Sequence, residues 1–400
     1  MEIALNRLRH LCVATLVLAL AGCASQSLPK PDEAKVKQFV SRGYLTDDRF
    51  PVSTTLATWT AGGDIFDVAL TVPANAASFP LVIYLPALGE SRSAGEAWRT
   101  AWAQGGYAVL SLQLLVEDET AWSSIKARAG DFTPLARERY SAKTMVIRLA
   151  ALQNAWRELS RRRAQGEKAL EQIDLSRVAI AGYDLGAYAA MVVAGEQLRG
   201  GTPPEQKIPV RAVIALSPYA DFSGAAFRSR YQTIRGPVLS ITSDDDWDSL
   251  GLVTSPSIRK APFEYMSEGD KYLLAMSRLS HLALGGGNQQ DGSDEPQPLQ
   301  KYESPSRGGS QSGGHGGHHF GEHGNHGNSG GEAARGGRER SGYAAGSVLS
   351  PTARAMGIAA IQGVSSAFLD AYMKHDPIAK EWLNKDAKRW LGESGELRTK

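Results

Sequence analysis

Cysteine is almost absent from this chain: two in 400 residues, Cys12 and Cys23, both close to the N-terminus. Beyond position 23 no disulfide, thiolate metal centre or cysteine nucleophile can be built. Excess charge is missing too. The 44 Lys and Arg nearly balance 42 Asp and Glu, so no strong field favours a nucleic acid partner. Histidine is scarce, with eight in all. The apolar stretch Leu11–Leu20 is about half the roughly 20 residues that a bilayer-spanning helix needs. What the chain has in excess is glycine, 42 residues, and these concentrate in one region.

Arg7 and Arg9 precede the Leu11–Leu20 stretch, and Leu20-Ala-Gly-Cys23 follows it. A basic segment, a short apolar segment and small residues before a cysteine are the parts of a secretory signal. The motif resembles the lipobox of bacterial lipoproteins. That resemblance implies a signal peptide over 1–22, acyl chains such as palmitate on Cys23, and an anchor in the bilayer. Ala24 in place of an aspartate after the cysteine implies the outer membrane, with the protein facing the periplasm. Residues 23–50, polar and carrying Pro29 and Pro31, read as a tether.

The next region reads as an α/β core over 51–284. Val52–Trp59 and Ile65–Val72 are strand-like and are joined by Gly62-Gly63-Asp64, a hairpin turn signal. Leu81–Leu85, Tyr107–Leu112, Val178–Ala181, Ala212–Leu216, Pro237–Thr242 and Tyr272–Met276 are continuously apolar or nearly so, as strands buried on both faces are. Between them, Asp131–Arg163 predicts one long helix, with Val146, Leu149, Leu152, Trp156 and Leu159 on a single stripe. Strands alternating with helices predict an α/β fold with a mostly parallel sheet, helices on both faces and no large cap domain. Residues 285–346 are Gly-, Ser- and His-rich and are expected to be disordered, because they cannot bury enough apolar surface to order themselves. Helices over 347–392 complete the core, and 393–400 read as a tail.

The most informative stretch is Gly182-Tyr-Asp-Leu-Gly186, a Gly-x-nucleophile-x-Gly elbow between a strand and an Ala-rich helix. Its central residue is Asp184 where such elbows usually carry serine. Later strand ends supply Asp246, with Asp248 in reserve, and His281. Nucleophile, acid and histidine in that order match the α/β-hydrolase fold. The chain resembles the dienelactone-hydrolase-like and platelet-activating-factor-acetylhydrolase-like branch of those proteins. The pieces that carry the likeness are Val82–Pro86, Gly130–Arg139, Gly182–Ala187, Thr242–Gly251, Lys271–Leu274 and Ala367–Tyr372. The resemblance implies Asp184 as nucleophile, His281 as base and Asp246 as acid. It implies an oxyanion hole from the backbone N–H of Leu185 and that of Ala87 or Leu88. No cofactor is implied.

Three readings of Asp184 follow. A carboxylate can displace a leaving group at saturated carbon, giving an ester that His281 would help hydrolyse, as in haloalkane dehalogenases and epoxide hydrolases. Leu185 stands where the dehalogenases place a halide-holding tryptophan. Alternatively, Asp184 serves as general base for water attacking an ester. Direct attack on an ester is uphill, because it would form a mixed anhydride. The remaining reading is a site without turnover, in an anchored binding or scaffolding module. The expected partners are a small-molecule substrate or ligand and the bilayer through Cys23. Tyr183, Trp247, Trp122 and Tyr219 are candidate pocket aromatics. His315, His318, His319, His323 and His326 could bind a transition metal weakly, although a low-complexity linker is the favoured account of them.

Overall fold

The computed structural model describes residues 29–46, 49–74, 77–115, 121, 124–221, 227–248, 250–287 and 349–400. The N-terminal segment with Cys23, the histidine cluster and Trp122 lie outside them. The described chain forms an α/β fold around one nine-stranded sheet, in the order β1-β2-β4-β3-β5-β6-β7-β8-β9. The strands are β1 (Val52–Ala61), β2 (Asp64–Pro73), β3 (Phe79–Leu85), β4 (Ala108–Leu114), β5 (Ile173–Tyr183), β6 (Val210–Leu216), β7 (Val238–Ser243), β8 (Lys271–Met276) and β9 (Gly395–Thr399). From β4 to β8 every pairing is parallel. β1, β2 and β9 pair antiparallel at the two ends. The β1–β2 hairpin turns on Gly62 and Gly63, both at positive φ (62° and 88°), which the twist-matched two-residue turn requires.

Central strands are buried on both faces because helices cover both. In β3, Leu81, Ile83 and Leu85 pack into one apolar cluster, while Val82 and Tyr84 pack into the other, the two-residue alternation of a pleated strand. The first cluster lies under α4 (Ala142–Ala164) and α5 (Leu185–Ala194). The second lies under α2 (Glu96–Gln104), α6 (Pro351–Leu369) and α7 (Pro377–Lys385). The topology is that of an open, mostly parallel α/β sheet and is compatible with a hydrolase fold.

Four expectations need correction. The long helix is two, α3 (Phe132–Arg139) and α4, because Ser141 caps the second by accepting the Thr144 N–H. The tether is docked from Asp32 onward. It forms α1 (Glu33–Ser41), whose Phe39 stacks on Trp390, and the Tyr44 hydroxyl donates to Asp370 at 2.8 Å. The tail is the edge strand β9, hydrogen-bonded to β8. Finally, the core extends past Leu284: Gly286 O accepts the Ala97 N–H, and Trp98 Nε1 donates to Leu284 O. The remainder of 285–346 lies outside the described residues.

Candidate active site

Four adjacent parallel strands, β5 to β8, bring their carboxyl ends together, the usual location of ligand sites in such sheets. A hydrogen bond ties each strand end to the next: Asp184 N–H to Leu216 O, Ser217 N–H to Ile241 O, Asp244 N–H to Met276 O, and Ser277 N–H to Ser394 O. Side chains leaving these ends are therefore held in register.

Asp184 sits at φ 52° and ψ −108°, a conformation that costs a non-glycine residue about 1–3 kcal/mol. The flanking glycines make the turn feasible. A Cβ on Gly182 would lie 2.2 Å from Gly186 O, and one on Gly186 would lie 1.9 Å from Leu85 O. Both are contacts with backbone, which cannot move aside. The elbow read from the sequence is thus a strained strand-to-helix turn that places Asp184 just before α5.

His281, after β8, bonds through Nδ1 to Asp246 Oδ1 at 2.7 Å. Because a carboxylate accepts, the proton rests on Nδ1, and Nε2 has no hydrogen-bond partner among the described residues. Asp246 is fully buried. Its other oxygen accepts from Thr242 Oγ1 at 2.7 Å. Arg259, also fully buried, brings Nε to 3.4 Å from Asp246 Oδ1. Burial opposes the charge on Asp246, but Arg259 and His281 overcome it and hold its pKa below the ordinary value. On His281 burial works against the proton, yet the Asp246 hydrogen bond and the charges of Asp184 and Asp246 leave its pKa raised.

Asp184 is 6% exposed. Burial is the main influence on it and raises its pKa, even though His281 and Arg259 both favour the anion. Asp184 and His281 interact electrostatically but are not hydrogen-bonded. The Tyr140 hydroxyl is close enough to act on the Asp184 charge, yet it makes no hydrogen bond of normal geometry.

The structure therefore gathers Asp184, His281 and Asp246, and it gives Asp248 a different task. The Asp248 carboxylate accepts the N–H groups of Leu250, Leu252 and Val253 and holds that loop. Of the expected oxyanion donors, the N–H groups of Leu185 and Leu88 make no hydrogen bond among the described residues. That of Ala87 is occupied by Glu90 Oε2 at 2.9 Å. A carboxylate on that donor repels a second anion. Among the expected aromatics, Tyr183 is buried and donates its hydroxyl to His281 O at 2.8 Å. Tyr219 is buried and donates to Asp221. Trp247 is 57% exposed.

Sequence reasoning missed Ser217. Its hydroxyl donates to Asp246 Oδ1 at 2.7 Å and lies 2.9 Å from His281 Nδ1, and its backbone adopts φ 51°. It missed Arg259 as well, whose Nη1 donates to Ser217 O and Pro218 O. A signal for Ser217 was present, since Ser-Pro directly after a buried strand marks a turn at a strand end. None marked Arg259, which approaches from a separate short helical turn, Pro256–Lys260.

Among the described residues no group of His, Cys, Asp or Glu could hold a metal ion, and no helix is long and apolar enough to cross a membrane. No protein-family model and no curated protein matches the chain.

Proposed function

We propose that this chain is a lipid-anchored hydrolase of the α/β-hydrolase fold, related to the dienelactone-hydrolase-like branch. In this reading it cleaves small ester-like or related substrates through an Asp184–His281–Asp246 site. One observation carries it: a carboxylate is held in a strained elbow beside a histidine whose Nδ1 is fixed by a buried acid. Strain of that kind persists only where the surroundings impose it, and it concentrates at functional sites.

The chemistry follows from the carboxylate. Attack by Asp184 at saturated carbon forms a C–O bond, breaks the bond to the leaving group and develops no tetrahedral oxyanion, so the occupied Ala87 N–H does not oppose this first step. In the second step His281 Nε2 takes a proton from water, which adds to the Asp184 carboxyl carbon. The Leu185 N–H, without a hydrogen-bond partner among the described residues, is the donor left for the charge that forms there. Collapse returns the His281 proton to the departing alkoxide, which leaves as the alcohol, and restores the Asp184 carboxylate. Both Asp184 and His281 must be unprotonated, and both have raised pKa values. Activity is therefore expected to rise with pH, with its midpoint above the ordinary histidine value of about 6.5.

The test is turnover on epoxide, alkyl halide and short alkyl ester panels, with Asp184→Asn and His281→Gln as controls. Turnover lost in both variants supports the proposal. Absence of turnover throughout removes it. A second reading, a binding module without turnover, is favoured by Glu90 on the Ala87 N–H and by the burial of Asp184. It predicts saturable ligand binding with no product in the same panels.

The anchor is proposed on the Leu20–Cys23 motif, with localisation in the outer membrane facing the periplasm. The intact mass of the exported protein decides this, because acylation of Cys23 adds the mass of the fatty chains.

A further inference from the structure

A cleft of about 740 Å³ lies between α1 and the helical segments that follow α6. Phe39, Trp382 and Trp390 line it, with Met356 from α6. This aromatic wall is fixed in place. Trp390 Nε1 donates to Phe39 O at 2.9 Å, and its ring stacks on Phe39 with centroids 4.6 Å apart. Gly43 and Gly363 leave room for the same ring, since a Cβ on either would lie within 2.9 Å of it.

The polar lining is mostly of one sign. Lys35, Arg42 and Arg389 face a single carboxylate, Asp386, so three cations meet one anion. Arg389 is paired with Asp386 at 2.7 Å. Lys35 and Arg42 make no ion pair among the described residues.

We propose that this cleft receives the headgroup of an anionic phospholipid in the bilayer that carries the anchor. Two observations select that occupant. The first is charge complementarity beside tryptophan rings, whose apolar faces and polar N–H suit the interfacial zone of a bilayer. The second is reach. Lys35 stands twelve residues after Cys23, a distance that a chain spans in at most about 43 Å. The inference rests on the anchor proposed above, and it does not depend on catalysis.

The test uses the acylated full-length mature protein in phosphatidylcholine nanodiscs with and without phosphatidylglycerol. A photo-reactive p-benzoylphenylalanine takes the place of Met356. The expected result is a phospholipid adduct on that residue, dependent on phosphatidylglycerol. Adduct yield at limiting phosphatidylglycerol should fall about fivefold for each of Lys35→Gln and Arg42→Gln, whose side chains are exposed. Absence of a lipid adduct, or an adduct indifferent to both substitutions, overturns the proposal. Suppression of the adduct when inorganic phosphate is present during irradiation overturns it as well, because the ligand would then be a free anion. Intact mass confirms acylation first, so a failed anchor is distinguished from a failed cleft.

Discussion

Asp184 stands where the family resemblance expects a serine, and its neighbours show what that exchange involves. The elbow glycines, the buried acid and the histidine are all in place, while one expected oxyanion donor carries Glu90. Ser217 supplies a direct test of backbone strain beside the histidine and its acid. Ser217→Gly removes the hydroxyl and relieves the positive φ, whereas Ser217→Ala removes only the hydroxyl. Thermal melts are expected to find the glycine variant about 1 kcal/mol more stable than the alanine variant. Equal stabilities would mean that the φ of 51° carries no strain.

Glu196 gives a second prediction at this scale. It is buried after α5, with Arg230 Nε 2.5 Å from Oε1 and Oε2 unpartnered. Burial raises its pKa from 4.5 to about 7 despite Arg230. The folded state thus holds this proton more tightly than the unfolded state does. Its contribution to stability is complete below pH 4.5 and is lost as pH rises to about 7. Denaturant melts should show roughly 3 kcal/mol of that decline absent in Glu196→Gln. An unchanged pH dependence would contradict the assignment.

Among the elements, β2 to β8 were legible because apolar residues make up half or more of each, and β1 because its β-branched and aromatic residues precede the Gly62-Gly63 turn. β9 was not, since Gly-Glu-Leu-Arg-Thr offers one buried apolar side chain, Leu397, and its identity comes from pairing with β8. The break between α3 and α4 was hidden because the apolar stripe continues across Tyr140 and Ser141. The docking of α1 was hidden because Phe39 and Tyr44 find their partners more than 320 residues away. Of the site, Asp184, Asp246 and His281 were readable from strand-end position. Ser217, Arg259 and Glu90 act through contacts made only in the folded chain.

β9 also bears on the site, because Ser394 O accepts the Ser277 N–H in the loop that leads to His281. Truncation after Glu393 removes the β8–β9 ladder and the Lys271–Lys400 backbone pair. Urea melts are expected to show a loss of about 3 kcal/mol or more. Wild-type stability in the truncated chain would mean that β9 adds nothing to the fold.

Across the whole molecule, the sheet brings a carboxylate, an imidazole and a second carboxylate to one edge, and a basic aromatic cleft lies near the start of the described chain. The first region carries the proposed chemistry and the second the proposed lipid contact, and the central claim is covalent participation by Asp184. It is tested most directly by a single turnover in heavy-oxygen water, followed by mass analysis of the peptide containing Asp184. The account predicts heavy oxygen in the Asp184 carboxylate, since water attacks the enzyme ester at that carbon. Turnover that labels only the product, with Asp184 unlabelled, would contradict it.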